Sequence, residues 1–219
     1  VTQKDYGQSA IICNVQMEKS HQNIAYERFT QFGPLAMLPM VDKQTAGKTC
    51  SLVWTLTPEQ AKFHFAQSED DFKRDLLRAF GSWLGEVKSV SKRLKFPLSL
   101  VQADDQVFHR MALVGNASHT IHPIAGQGFN LGARDVISLS RRIVDRWKTG
   151  EDIGSFAMLN NYAERRKQDH QTVIRLTDSL VTLFSNNLPA LVAGRNIGVK
   201  ALNYLSPLKS AFVNKTMGY

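Results

Sequence analysis

An apolar run that breaks into a glycine-rich loop and then into an amphipathic pattern constrains this chain more than any other feature in it. The stretch Leu113-Val-Gly-Asn-Ala-Ser-His-Thr-Ile-His-Pro-Ile-Ala-Gly-Gln-Gly-Phe-Asn-Leu-Gly-Ala-Arg-Asp-Val-Ile-Ser-Leu139 predicts a strand, an anion-binding loop and a helix. Gly126, Gly128 and Gly132 fall at the loop-to-helix junction. Missing side chains there let a ligand lie against backbone N–H groups that the first helical turn leaves unpaired. The positive end of the helix dipole favours electron-rich ligand atoms at the same place. The spacing Gly126-x-Gly128-x-x-x-Gly132 departs by one residue from the dinucleotide fingerprint G-x-G-x-x-G and lacks its downstream acidic partner, so this is not a Rossmann loop. A glycine-rich turn into a helix can also be a tight connection and nothing more.

The rest of the chain divides near residue 103. Before it come strand-like runs, Ala10 to Val15, Pro34 to Pro39, Cys50 to Leu56 and Leu94 to Leu100, with one good helix among them. That helix starts at an N-cap, Ser68, with Asp71 three residues on, and places Phe72, Leu76, Phe80, Trp83 and Leu84 on one side before Gly85. The pattern fits a mixed sheet with a covering helix. After residue 103 the period becomes helical. Leu131, Val136, Leu139, Ile143 and Val144 form a stripe running to Trp147 and a stop at Gly150, and a second helix runs from Ile153 through Phe184. Its charged run, Glu164-Arg165-Arg166-Lys167, reads most simply as a solvated face, with a phosphate or a partner protein as the alternative.

With 219 residues, 43% of them hydrophobic and 21% charged, the chain can bury a real core in one large or two small domains. Its two cysteines, Cys13 and Cys50, lie in apolar runs and read as buried thiols rather than a disulfide. No signal peptide or twenty-residue apolar span is present in these residues, which points to the cytoplasm. The net charge of +8 is spread along the sequence without an aromatic-interleaved basic cluster, which argues against nucleic acid as a partner. From Thr172 to Tyr219 the chain mixes Leu180, Leu188, Leu191, Ile197 and Leu205 with Arg195, Lys200, Lys209 and Lys215. Two readings stay open for this segment: a buried helical cap, or a basic amphipathic surface that meets anionic lipid at the inner membrane or guides a substrate.

The segment Arg110-Met-Ala-Leu-Val-Gly-Asn-Ala-Ser-His119 resembles the second flavin motif, usually written G-D-A-A-H, of the flavin-dependent aromatic hydroxylases of the para-hydroxybenzoate hydroxylase type. His122-Pro-x-x-Gly-Gln-Gly-x-Asn-x-Gly132 with Asp135 resembles the loop and helix that follow it there. Tyr162-x-Glu164-Arg165-Arg166, Thr177-Asp-Ser-Leu-Val181 and Gly194-Arg-Asn-Ile-Gly198 resemble the ubiquinone-biosynthesis branch, and within it the methoxyphenol hydroxylases. The resemblance covers nearly the whole chain. It implies an α/β fold in which residues 1–103 are the end of a mixed-sheet substrate domain. Residues 104–171 would be the C-terminal part of an FAD-binding domain, and residues 172–219 a helical cap. No G-x-G-x-x-G follows any apolar strand here, so the resemblance further implies the C-terminal portion of a longer enzyme.

Carried over by position, Gly115 and Asn116 would meet the FAD ribitol, and Gly126, Gln127, Gly128, Phe129 and Asn130 the isoalloxazine ring. Pro123 would lie beside the reacting face with its backbone carbonyl near the substrate, and Phe32-Gly-Pro-Leu-Ala-Met-Leu-Pro39 would run close to the ring. Asn116 stands where the wider family has aspartate; it keeps a carbonyl acceptor but loses the charge, which weakens the bond to a ribitol hydroxyl. His119 and His122 have no Cys, Asp or Glu at ligand spacing and read as hydrogen-bonded structural groups, so no metal and no catalytic base is expected. The implied activity is hydroxylation of a polyprenylated methoxyphenol with FAD, molecular oxygen and NAD(P)H, the cofactor carrying the oxygen. A polyprenyl phenol brings a membrane surface or other ubiquinone-pathway proteins in as partners. A non-catalytic lipid-binding or assembly module on the same scaffold, and a sister hydroxylase acting at another ring carbon, stand as alternatives.

Overall fold

Alternation along the strands decides the first half of the chain. In a computed structural model that describes residues 1–41, 44–184 and 210, strand β1 (Thr2–Met17) buries Ile11, Cys13, Val15 and Met17, every second residue. Strands β2 (Tyr26–Thr30), β3 (Gly33–Pro39) and β4 (Thr49–Leu56) follow as an antiparallel run in the order β2-β3-β4-β1. The β5 strand (Val87–Val90) pairs with β1 antiparallel. Register puts the apolar residues in rows across the strands. Leu35, Trp54 and Ile11 stand opposite one another, and Met37, Leu52 and Cys13 form the next row. A one-residue slip would turn these rows to the other face, so burial fixes the register.

Two helices cover this sheet. Helix α1 (Pro58–Ala66) starts where the Thr57 side chain accepts the Gln60 N–H at 3.3 Å, with Pro58 in the first turn. Helix α2 (Glu69–Phe80) starts at the expected cap, with the Ser68 hydroxyl accepting the Asp71 N–H at 3.1 Å. Its Phe72, Leu76 and Phe80 join the buried rows of the sheet. The helix ends at Gly81, four residues before the expected stop. Gly81 adopts φ +93° and its N–H bonds back to the Leu77 carbonyl at 2.7 Å. Trp83 and Leu84 therefore lie beyond the helix, Trp83 exposed and Leu84 buried. Cys13 and Cys50 are both buried as free thiols, and burial pushes each up to about 11.

The described residues divide into two units, Asp5–Leu98, which holds this sheet, and Val1–Lys4 with Ser99–Leu183. In the second unit the end of β6 (Leu94–Gln102) pairs antiparallel with β9 (His119–Thr120) at Val101–Thr120 and Gln102–His119. Strands β7 (Val107–Phe108) and β8 (Met111–Ala112) form a small hairpin. The strand expected to run into the glycine loop stops at Ala112. Two long helices follow, α3 (Gln127–Lys148) and α4 (Phe156–Phe184).

The apolar stripe expected along α3 is only partly buried. Leu131 is fully covered, whereas Val136, Val144 and Trp147 are exposed in this chain. The buried row is Gln127, Leu131 and Asp135, spaced four apart, so a carboxylate occupies the third core position. On α4 the buried row is Leu159, Tyr162, Arg166, His170, Val173 and Thr177. Of the run Glu164-Arg165-Arg166-Lys167, three residues are exposed as a solvated face should be, but Arg166 is buried. Most of the 172–219 segment, including Gly194-Arg-Asn-Ile-Gly198 and the basic residues Arg195, Lys200, Lys209 and Lys215, lies outside the described residues. Among the described residues no helix is long and apolar enough to cross a membrane.

Candidate functional site

Two turns and one helix end build the site. After β8, Gly115–Ala117 makes a 3-10 turn with Gly115 at φ +58°. The Gly115 N–H donates to Asp135 Oδ2 at 3.2 Å, and Gly132 passes so near that a Cβ on it would lie 3.1 Å from the Gly115 Cα. Glycine at both positions lets α3 carry this turn against its own backbone. Asn116 follows with its side chain exposed.

Further on, His122 is fully buried and its Nδ1 accepts the Ile124 N–H at 3.1 Å. Burial pushes this imidazole down to about 4, so it stays neutral and holds the turn. The Pro123 carbonyl accepts the Gly126 N–H at 3.0 Å, closing a 3-10 turn over Ile124–Gly126. Gly126 then adopts φ +59°, and α3 begins at Gln127 with no side chain capping its N-terminus. A 22-residue helix thus presents its first N–H groups uncapped. Gln127 is buried, Gly128 lies over Ile121, and Phe129 and Asn130 are exposed. Gly115, Asn116, Pro123 and Gly126 to Asn130 therefore belong to one unit, and the Gly115 turn is tied to the helix that the second turn starts, whereas Phe32 to Pro39, also expected near the ring, belongs to the other unit. An uncapped helix end approached by bare glycine backbone fits an electron-rich, planar group such as the flavin pyrimidine edge.

Beneath the turns lies a charged network that the sequence did not reveal. Asp135 is fully buried and its Oδ1 accepts from Arg166 Nε at 2.6 Å and from His170 Nε2 at 2.7 Å. Burial pushes the Asp135 carboxyl up, but the hydrogen bonds from His170 and Arg166 outweigh it and the net shift is down. The Gln106 amide nitrogen lies 2.7 Å from His170 Nδ1 and 2.6 Å from Ser118 Oγ. Arg166 also reaches Asp169 at 2.7 Å.

His119 is buried against the His170 ring, centroids 4.4 Å apart, with Nδ1 3.7 Å from Asp135 and no hydrogen-bond partner on either nitrogen among the described residues. Burial, with His170 adding to it, pushes His119 down to about 4. No acidic residue stands at ligand spacing from these histidines in the sequence, yet folding brings Asp135 to His119 from sixteen positions on. His119, Asp135 and His170 place ligand atoms within 4.8 Å of one another, but the Arg166 guanidinium already supplies the positive charge that a cation would bring. What could have flagged the network is the spacing on α4, where Arg166 and His170 stand four apart in register with Tyr162 and Val173.

Comparison with known proteins agrees with this geometry. The family described as FAD binding domain matches residues 7–177. Among curated relatives, ubiquinone hydroxylase UbiL of Rhodospirillum rubrum is 40% identical over 97% of this chain and 48% of its own length. The 3-demethoxyubiquinol 3-hydroxylase of Escherichia coli is 35% identical over 97% of this chain and 53% of its own length. Among solved structures, p-nitrophenol 4-monooxygenase PnpA from Pseudomonas putida shares the fold with a TM-score of 0.71 at 17% identity, over 99% of this chain and 54% of that one. The chain spans about half the length of the curated relatives it matches. Residues that set glycine backbone at an uncapped helix end, and a family match over most of the sequence, lead to one assignment: the chain belongs to the FAD binding domain family.

Proposed function

We propose that this chain supplies the ring and ribityl contacts of an FAD-dependent monooxygenase that hydroxylates the ring of a polyprenylated methoxyphenol in ubiquinone biosynthesis, with NAD(P)H as reductant. The observation that carries the reading is the uncapped start of α3 behind Gly126, beside a Gly115 turn tied to the same helix. Bound FAD, once reduced, supplies the activation of molecular oxygen, one atom of which goes to the ring carbon and the other to water.

The chain's own groups orient and stabilise. The N–H groups at Gly128 and Phe129, with the helix dipole behind them, face negative charge gathering on the pyrimidine edge, and Gln127 shapes the turn beside it. Asn116 offers its amide oxygen to a ribitol hydroxyl. The Pro123 carbonyl already accepts from Gly126, and its second lone pair is free to meet a phenol hydroxyl on the reacting side. Neither His119 nor His122 serves as a base in this reading, because burial holds both at about 4, too weakly basic to take a phenol proton. The relatives that carry ubiquinone hydroxylase names support the substrate class.

The test uses the full-length protein. It is expected to purify with an oxidised-flavin absorbance and to oxidise NAD(P)H and consume oxygen in step with formation of a hydroxylated prenyl phenol. A full-length protein that binds the prenyl phenol but never holds flavin would favour the non-catalytic module instead.

A further inference from the structure

Helices α3 and α4 enclose a groove of about 650 Å³ whose walls carry five arginines, Arg134, Arg141, Arg142, Arg165 and Arg166. We propose that this groove is a second, phosphate-recognising site that takes a small soluble phosphate ester or diphosphate. It is separate from the glycine turns and does not depend on the reading given for them.

Charge makes the first part of the case. Arg166 is ion-paired with Asp135 and Asp169, and Arg134 with Asp169 at 2.9 Å. Among the described residues no carboxylate lies within ion-pair distance of Arg141, Arg142 or Arg165, although Asp145 lines the same groove. Three guanidinium groups against one carboxylate leave the groove positive. Burial, and then the neighbouring charges of Arg165 and Arg166, push Arg142 below its ordinary value, with Asp145 opposing them.

Geometry makes the second part. Arg142 is held in place, with Nη1 donating to the Ser138 carbonyl and hydroxyl at 2.8 Å each and Nε to Asn161 at 3.4 Å. A guanidinium whose stem is fixed presents its remaining N–H groups with little entropy left to lose, and its planar fork suits phosphate oxygens. Ser138 and Asn161 add neutral polar groups to the lining, and Ile137 is its one aliphatic side chain. The volume falls within the range of small-molecule sites, roughly 300–1,000 Å³. A concave wall that carries five guanidinium groups favours a small soluble anion over a bilayer, whose surface is met by flat amphipathic faces.

The experiment titrates inorganic pyrophosphate into the full-length protein by calorimetry at low and at moderate salt. It compares wild type with Arg141→Gln/Arg165→Gln, two side chains exposed enough to be replaced without opening the core. A control of equal charge, Lys19→Gln/Lys62→Gln, removes two exposed cations far from the groove in sequence. The expected result is saturable pyrophosphate binding that weakens at least about tenfold in the arginine variant and hardly changes in the lysine variant. Flavin content should stay the same in all three.

Four results would overturn the proposal: no saturable binding in the wild type, or equal weakening in both variants, which is bulk charge. So would an arginine variant that melts lower while binding pyrophosphate as well as wild type, meaning the arginines pair within the protein. Binding to phosphatidylglycerol vesicles but not to pyrophosphate would assign the groove to a lipid surface.

Discussion

Replacing Asp135 with Asn tests whether the buried network holds the Gly115 turn. The side chains are nearly the same size, so packing is kept and the loss is electrostatic. The carboxylate accepts on one oxygen from Arg166 and His170 and on the other from the Gly115 N–H. An amide has only one oxygen. If that oxygen faces Arg166 and His170, its NH2 meets the Gly115 N–H; if it faces Gly115, the NH2 meets two donors. Removing one partner of a buried ion pair costs about 3–5 kcal/mol. Arg166 keeps a second carboxylate, Asp169, so the lower figure of about 3 kcal/mol applies. Unfolding entropy grows with chain length, and for a protein about twice this size each kcal/mol moves Tm by roughly 1–2 °C. Asp135→Asn should therefore lower the Tm of the full-length protein by about 3–6 °C in a thermal melt. Because the Gly115 turn loosens, the FAD dissociation constant, followed by flavin fluorescence, should rise by about tenfold, or ~1.4 kcal/mol. A Tm within about 1 °C of wild type would refute the network as a structural element. A lowered Tm with unchanged FAD affinity would refute its link to the turn.

Gly132→Ala should weaken FAD binding, because its Cβ would press on the Gly115 Cα at 3.1 Å, whereas Gly126→Ala meets open space and should cost only the left-handed backbone strain, about 1 kcal/mol; flavin titration and thermal melts of both variants check this. His119 and His122 have folded values near 4 against an ordinary 6.5, so the unfolded chain binds more protons between those limits. Their contribution to stability is complete above pH 6.5 and is lost as pH falls towards 4, by up to roughly 3 kcal/mol each; melts with unchanged Tm from pH 7 to 4.5 would contradict it. Cys13 and Cys50, buried and pushed up to about 11, should stay unreactive to a disulfide reagent at pH 8 in the native protein and react only on denaturation.

Where the chain obeys a local rule, the sequence was enough to place its elements. The alternation in Ala10 to Val15 and Cys50 to Leu56 marks strands whose buried rows the register then fixes, and Ser68 with Asp71 marks a cap the structure uses. The Thr57-Pro58 start of α1 carries the same kind of signal, a hydroxyl before a first-turn proline, on a helix whose apolar face is too short to stand out in the sequence. Strand β2 is short and edge-placed, with Glu27 and Arg28 exposed, so its alternation is too weak to stand out from a loop. The stop of α2 was misplaced because two glycines, Gly81 and Gly85, both end a turn with positive φ, and only backbone geometry shows that the first one takes the Leu77 carbonyl.

At the site the limit of sequence reasoning is of another kind. Gly115, Asn116 and Gly126 to Asn130 are contiguous motifs, and contiguity is what a motif can record. Asp135, Arg166 and His170 meet because α3 and α4 present the same four-residue spacing to one another, Gln106 joins them from the segment before β7, and each residue taken singly looks like a surface charge or amide. A polar residue in a buried helical row carries no tag in the sequence beyond its phase relative to the apolar residues beside it: Leu131 for Asp135, and Tyr162 and Val173 for Arg166 and His170. Phase on one helix gives a candidate. Matching phase on two packed helices gives a network, because a buried charge survives only where the opposite charge is delivered to the same depth. The same reasoning separates Arg166 from Arg165, its neighbour in the chain. One residue of phase sends the first to a carboxylate in the core, and leaves the second exposed with no carboxylate at ion-pair distance among the described residues.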